Sequence, residues 1–168
     1  MENKYKAAVI TVSDKGSRGE REDTSGPAIC DMLKEHGWEI IYTSIVPDEK
    51  KDIIGEISHC ADELIVPLII TTGGTGFSQR DITPEATVEA SERLVPGIPE
   101  AMRMYSMKFT SRACLSRSAC GIRKYSLILN LPGSKKAALE NLEGVIDPVK
   151  HGIDMLLTDG SADCAATV

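Results

Sequence analysis

Several features that would place this 168-residue sequence in other classes are missing from it. Its longest uninterrupted apolar stretch, Leu64 to Ile70, already contains Pro67 and falls far short of the ~20 residues that span a bilayer. No membrane role is expected. Met1 to Lys6 are polar and run straight into an apolar segment, without the zones of a secretory signal. The five cysteines (Cys30, Cys60, Cys114, Cys120, Cys164) are odd in number and none lies in a CxxC. That argues against a disulfide frame or a zinc site and for free thiols in a reducing compartment, with the cytoplasm as the expected location. A net charge of −6 disfavours a general role in nucleic-acid binding. Two phosphate-binding signatures are absent as well. There is no GxGxxG, and no Lys-Ser or Lys-Thr follows Gly76 to complete a Walker A loop.

What is present begins with an uneven distribution of charge. Between Ala101 and Leu139 there are eight basic residues (Arg103, Lys108, Arg112, Arg117, Arg123, Lys124, Lys135, Lys136) and no acidic ones. The rest of the chain holds the other 11 basic residues and all 25 acids. Such a span is either a solvated positive face or a local field that draws an anionic small molecule to an acidic protein.

Strand-like and helix-like segments alternate along the chain, which predicts a single α/β domain over residues 1–168, with a core at about 5–157. The expected architecture has three layers and is Rossmann-like: a mostly parallel sheet with helices on both faces. Ala7 to Val12 reads as a strand buried on both faces. A polar loop follows from Asp14 to Asp23, and Asp23, Thr24 and Ser25 offer caps to a helix with Pro27 in its first turn. Further strands are expected at Trp38 to Val46, Leu64 to Thr72 and Ser126 to Leu131. Helices are expected at about Lys50 to Ala61, Thr83 to Leu94, onward from Gly97 to about Phe109, and after Ser134. The last is split by Asp147-Pro148. The small, polar tail from Asp159 to Val168 is expected to fray.

In open α/β sheets ligands sit beyond the carboxyl ends of the strands, and the unusual motifs fall there. Thr11 and Ser13 end the first strand, and Val46-Pro47-Asp48 ends the second. Gly73-Gly74-Thr75-Gly76 ends the third, followed by Arg80-Asp81. Asn130, Pro132, Gly133, Ser134 and Lys135 end the late strand. The glycine loop is either a bare backbone cradle for a phosphate or a turn with no ligand. Asp48 and Asp81 are either a cap and a turn brace or a pair of carboxylates for Mg²⁺ beside phosphate. His36, His59 and His151 form no triad-like constellation, so a nucleophile would come from the substrate.

The ordered set is more specific than its parts. It comprises Thr11-Val-Ser-Asp14, Asp23-Thr-Ser-Gly26, Val46-Pro-Asp48, Thr72-Gly-Gly-Thr-Gly-Phe77 and Arg80-Asp-Ile-Thr-Pro-Glu-Ala-Thr87. Leu115-Ser-Arg117, Cys120-Gly-Ile-Arg123 and Asn130-Leu-Pro-Gly-Ser-Lys-Lys136 complete it. From about Tyr5 to Leu157 the chain closely resembles the molybdopterin adenylyltransferase family, which includes the G domain of gephyrin. The resemblance implies a homotrimer that joins the AMP part of ATP to the terminal phosphate of molybdopterin, releases pyrophosphate and hands the product to a molybdate-inserting protein. It implies that Asp48 and Asp81 support Mg²⁺-ATP and catalysis, and that Gly73, Gly74, Thr75 and Gly76 cradle the nucleotide. Ser116, Arg117 and the Asn130 to Lys135 loop, including Pro132, Gly133 and Ser134, match the pterin-phosphate side, and Thr11 and Ser13 the lip of the crevice. The alternatives are a B-type relative that binds without transfer, and a scaffold module. Some B-type relatives depart from the Val-Pro-Asp and Arg-Asp motifs, and this chain keeps both.

Overall fold

Six strands form one sheet in the order β2-β1-β3-β6-β5-β4 in the computed structural model, which describes residues 5–158. The tail from Asp159 to Val168 lies outside the described residues. β1 (Lys6–Val12), β2 (Glu39–Val46), β3 (Leu68–Thr72) and β6 (Ser126–Leu131) run parallel; β5 (Cys120–Arg123) pairs antiparallel with β6, and β4 (Arg93–Leu94) pairs antiparallel with β5 at the edge, so that β5 alone runs against the rest. This is a three-layer, Rossmann-like α/β fold.

The period of two along the strands builds both cores. Ala7, Val9, Leu68, Ile70, Leu127 and Leu129 point to one face. There they meet Ile29 and Leu33 of α2 (Ser25–Glu35), Met102 of α5 (Gly97–Ser106), Leu142 of α6 (Lys135–Glu143), and Val149 and Ile153 of α7 (Ile146–Leu157). Ala8, Ile10, Val12, Ile69 and Ile128 point the other way, onto Ile53 and Ile57 of α3 (Lys50–Ser58) and Ala86 and Ala90 of α4 (Thr83–Ala90). Each fully buried aliphatic side chain contributes roughly 1.5–3 kcal/mol. These two apolar layers leave the carboxyl ends of the strands to polar side chains.

Several expectations are corrected. The polar stretch after β1 is not all loop: Asp14–Ser17 makes one helical turn, α1, capped by Ser13 Oγ, which accepts from Gly16 N at 3.0 Å. β3 starts at Leu68 and not at Leu64, because the preceding helix ends in a wider turn at His59–Glu63 and Ile65 turns the chain with φ +51° before Pro67. α4 stops at Ala90, since Ser91 is extended and Arg93–Leu94 pairs with Gly121 and Ile122. The final helices part at Gly144, not at Asp147-Pro148. A Cβ on Gly144 would stand 2.6 Å from the Tyr105 ring, whereas Pro148 lies in the first turn of α7, where no N–H is missed.

The chain goes out from β1 to β2 and returns to β3 on the other side of β1. Between β1 and β3 the order reverses, and a crevice opens at the carboxyl ends of the strands.

Candidate functional site

A cavity of about 590 Å³ occupies this switch point. Its walls are Thr11 to Ser13 from the end of β1, Asp48 after β2, Thr72 to Gly74 and Asp81 after β3, and Gly133 to Lys135 after β6. Arg21 to Ser25, leading into α2, close it. The sequence thus brings together Thr11, Ser13, Asp48, Gly73, Gly74, Asp81, Gly133, Ser134 and Lys135.

The glycines at its floor are there for space and for backbone angle. Gly73 and Gly74 have φ of +109° and +66°, in the left-handed region. A Cβ at Gly73 would collide with the Val12 carbonyl oxygen, and one at Gly74 with Thr83 Oγ1. Gly133 packs on the same turn, since a Cβ there would sit 3.2 Å from Gly73 Cα. The turn is pinned by Gly73 N donating to the Leu131 carbonyl at 3.1 Å and Thr72 Oγ1 to the Pro132 carbonyl at 2.8 Å.

Two helices aim their N-termini at the cavity. Asp23 Oδ1 accepts from Ser25 N and Gly26 N at 3.1 and 3.0 Å, and Thr11 Oγ1 donates to its Oδ2 at 2.6 Å. Of the three cap candidates it is therefore Asp23 that caps α2. Ser25 Oγ then donates to the Gly133 carbonyl at 2.8 Å, tying that end of α2 to the loop before α6. Ser134 Oγ caps α6 through Ala137 N at 3.3 Å. Helix N-termini carry partial positive charge and suit anions; at α2 the Asp23 carboxylate already fills that role.

The two carboxylates are anchored alike. Asp48 Oδ2 accepts from Asp14 N at 2.8 Å, and Asp81 Oδ2 from Ser78 N at 2.9 Å. Their Oδ1 atoms have no hydrogen-bond partner among the described residues. Burial pushes the Asp48 carboxyl above its usual range, the Asp14 backbone N–H pulls it back, and the charges of Asp14 and Asp81 push the same way as burial. Among the described residues no group of three His, Cys, Asp or Glu side chains gathers to hold a metal ion. A cation here would have two carboxylates, and oxygens of substrate and water for the rest of its shell.

Other expected site residues stand back from the cavity. Asn130 is fully buried: its Nδ2 donates to Thr71 Oγ1 at 2.9 Å and Thr87 Oγ1 at 2.7 Å, and its Oδ1 accepts from Ala119 N at 3.1 Å. Arg117 braces the glycine loop from behind. Its Nε donates to the Gly76 carbonyl and its Nη2 to the Asp81 carbonyl, both at 2.7 Å, and Nη1 pairs with Glu85. Ser116 Oγ lies 2.9 Å from Ser118 Oγ. Thr75, Gly76, Pro132, Ser116, Arg117 and Asn130 are absent from the cavity lining.

The acid-free span does not gather at the crevice. Of its eight cations only Lys135 lines the cavity. Arg123 and Lys124 pair with Asp62, at 2.6 and 2.9 Å. Lys108 lies over the Tyr105 ring at 4.7 Å, and Arg103 donates to the Ser116 carbonyl at 3.3 Å. The second cavity cation is Arg21, which is inconspicuous in the sequence because it sits among Glu20, Glu22 and Asp23. Its signal was its place just ahead of the α2 cap.

A glycine-floored crevice at the switch point of a mostly parallel sheet defines the class as a ligand-binding α/β domain. The chain belongs to the family described as "Probable molybdopterin binding domain", whose profile matches residues 8–151. Molybdopterin adenylyltransferase of Helicobacter pylori (strain ATCC 700392 / 26695) is 43% identical over 151 residues, 89% of this chain and 86% of the relative. That of Escherichia coli K12 is 40% identical over 158 residues, 90% of this chain and 80% of the relative. The crystal structure of the molybdopterin biosynthesis enzyme MoaB from Thermus thermophilus superposes with a TM-score of 0.86 at 44% identity, covering 90% of this chain and 96% of that one. A MogA structure gives 0.83 at 34% identity, covering 90% and 99%.

Proposed function

We propose that the chain is a molybdopterin adenylyltransferase of molybdenum-cofactor biosynthesis, a nucleotidyltransferase acting in the cytoplasm. It moves AMP from Mg²⁺-ATP to the terminal phosphate of molybdopterin and releases pyrophosphate. The observation that carries the reading is the Asp48 and Asp81 pair, each anchored through Oδ2 with Oδ1 left over, at the edge of a glycine-floored crevice.

The residues suit Mg²⁺, which favours one or two carboxylates with phosphate oxygens and water. Asp48 and Asp81 would hold it, and when bound it would draw charge from the reacting phosphates. The rest falls to the protein's own groups. The pterin phosphate is itself the nucleophile, so the protein must hold two anions in line and damp their repulsion. Two like unit charges 4 Å apart repel by roughly 4 kcal/mol at an effective dielectric near 20. Arg21, Lys135 and the N-terminus of α6 oppose that repulsion, while the Gly73-Gly74 turn keeps the cavity floor clear of side chains. We place the nucleotide over this turn and the pterin toward Ser116, Arg117 and the Asn130 to Lys135 loop, with Arg117 supporting the loop and not touching the ligand.

The homotrimer is supported by the exposed apolar side chains of Met104, Met107, Phe109 and Leu115 on α5 and the turns after it. The product would pass to a molybdate-inserting protein. The second reading is a B-type relative that binds the pterin without transfer. Retention of Val46-Pro47-Asp48 and Arg80-Asp81 favours transfer.

Asp48→Asn and Asp81→Asn remove charge at constant shape, so each should lower transfer at saturating substrate by at least about a hundredfold, the scale of one lost electrostatic stabiliser. Thermal midpoints should stay near that of the wild type. Near-normal transfer by both would return the pair to local turn-making.

A further inference from the structure

Arg80 joins three of the loops at the carboxyl end of the sheet. It stands after β3. Its Nε and Nη2 donate to Asp14 Oδ2 and Oδ1, both at 3.0 Å, and its Nη1 pairs with Glu49 Oε1 at 2.8 Å. Asp14 follows β1 and Glu49 follows β2. Asp14 is locked in turn to Asp48 by two reciprocal bonds: Asp14 N donates to Asp48 Oδ2 at 2.8 Å, and Asp48 N donates to Asp14 Oδ1 at 3.0 Å. A continuous link therefore runs from the guanidinium, through one carboxylate, to the carboxylate at the cavity edge. Arg80 does not line the cavity.

Stability does not account for this link. The Arg80 side chain is 52% exposed, and ion pairs that open contribute little to folding. Its geometry is exacting nonetheless. Only a planar fork can take both Asp14 oxygens and reach Glu49 at once. Asp14 needs both oxygens fixed, because one of them also receives the Asp48 N–H. No other cation forms an ion pair with Asp14, Asp48 or Asp81 among the described residues. Without Arg80 the Asp14 carboxylate would lose its fixed plane and its counter-charge. The Asp14 peptide that holds Asp48 Oδ2 would loosen with it.

We propose that Arg80 is a positioning residue. Through Asp14 it fixes the direction of the Asp48 carboxylate, keeping Oδ2 engaged and Oδ1 available, and thereby sets how Mg²⁺-ATP is held. The inference rests on the functional reading of Asp48 given above.

The test uses the full-length protein, with transfer kinetics, thermal midpoints, and calorimetry of ATP binding with and without Mg²⁺. Arg80→Gln should cut both kcat and the gain in ATP affinity that Mg²⁺ brings by about tenfold or more, the scale seen when a partner that orients a metal ligand is removed. Molybdopterin affinity and the thermal midpoint should stay near wild-type values. Arg80→Lys should recover less than half of the loss, since an ammonium cannot make the fork. Added to Asp48→Asn, Arg80→Gln should have no further effect, because both act through one carboxylate. Wild-type kcat and Mg²⁺ response in Arg80→Gln would overturn the proposal. So would full recovery by Arg80→Lys, a further tenfold loss in the double variant, or a lowered midpoint with the Mg²⁺ gain intact. If Asp48→Asn alone transfers normally, the reading of Asp48 fails and this proposal falls with it. If Asp48→Asn is disabled and Arg80→Gln is not, only the positioning role falls.

Discussion

Arg21 and Lys135 share the cavity with Glu22, Asp23, Asp48 and Asp81, and neither cation forms an ion pair among the described residues. Two anionic substrates entering a protein of net charge −6 need attraction from nearby groups. Raising salt from 0.01 to 0.15 M shortens the Debye length from about 30 Å to about 8 Å, so molybdopterin affinity measured by calorimetry should fall. Arg21→Gln and Lys135→Gln should each lower the affinity and flatten that dependence. Arg123→Gln should leave both unchanged, because its guanidinium is held by Asp62 and the Ala90 carbonyl. Affinity that ignores salt in the wild type would leave these cations without a role in capture. The sequence made Asp48, Asp81 and Lys135 legible, since strand-end position alone brings them to the crevice. It could not separate Arg117 from a ligand contact. Its distance in sequence from Glu85 hid the pairing that turns it into a brace.

Among the elements, β1 and β6 were readable because continuous apolar runs bounded by polar loops leave few alternatives. The antiparallel hairpin of β5 and β6 was not. β5 is short and carries no periodic signal, and its turn is set by Lys124 at φ +50° in place of a glycine. The glycine turn after β3 can be tested on its own. Gly73→Ala should destabilise by at least about 1–2 kcal/mol in urea denaturation, from the left-handed angle alone. Gly97→Ala, whose Cβ would meet nothing within 4 Å, should stay within about 0.5 kcal/mol. Equal behaviour of the two would remove the steric account of the loop. At the end of β5, Arg123 and then Lys124 hold the Asp62 carboxyl down at about 2, from an ordinary 3.8. A depressed carboxyl contributes stability above its unfolded value and loses it as pH falls through its folded value. Asp62→Asn should therefore lower the thermal midpoint at pH 7 and make little difference at pH 2. The gap should close between about pH 4 and 2. A gap that persists at pH 2 would point to lost packing in place of lost charge.

For the whole molecule, two apolar layers fix a sheet whose switch point falls between β1 and β3, and everything proposed about function depends on that crevice. No helix among the described residues is long and apolar enough to cross a membrane. Light scattering should return the mass of a trimer, and Met104→Glu combined with Phe109→Glu should shift it toward monomer. A wild-type monomer at working concentration would leave that apolar surface without the proposed partner copies. The most direct measurement follows the label from ATP marked at its α-phosphate, incubated with the protein, Mg²⁺ and molybdopterin. Label should appear on the pterin with one equivalent of pyrophosphate, and neither should appear when the pterin is left out. Tight pterin binding with no pyrophosphate, or release of ADP and phosphate in its place, would contradict the proposed transfer.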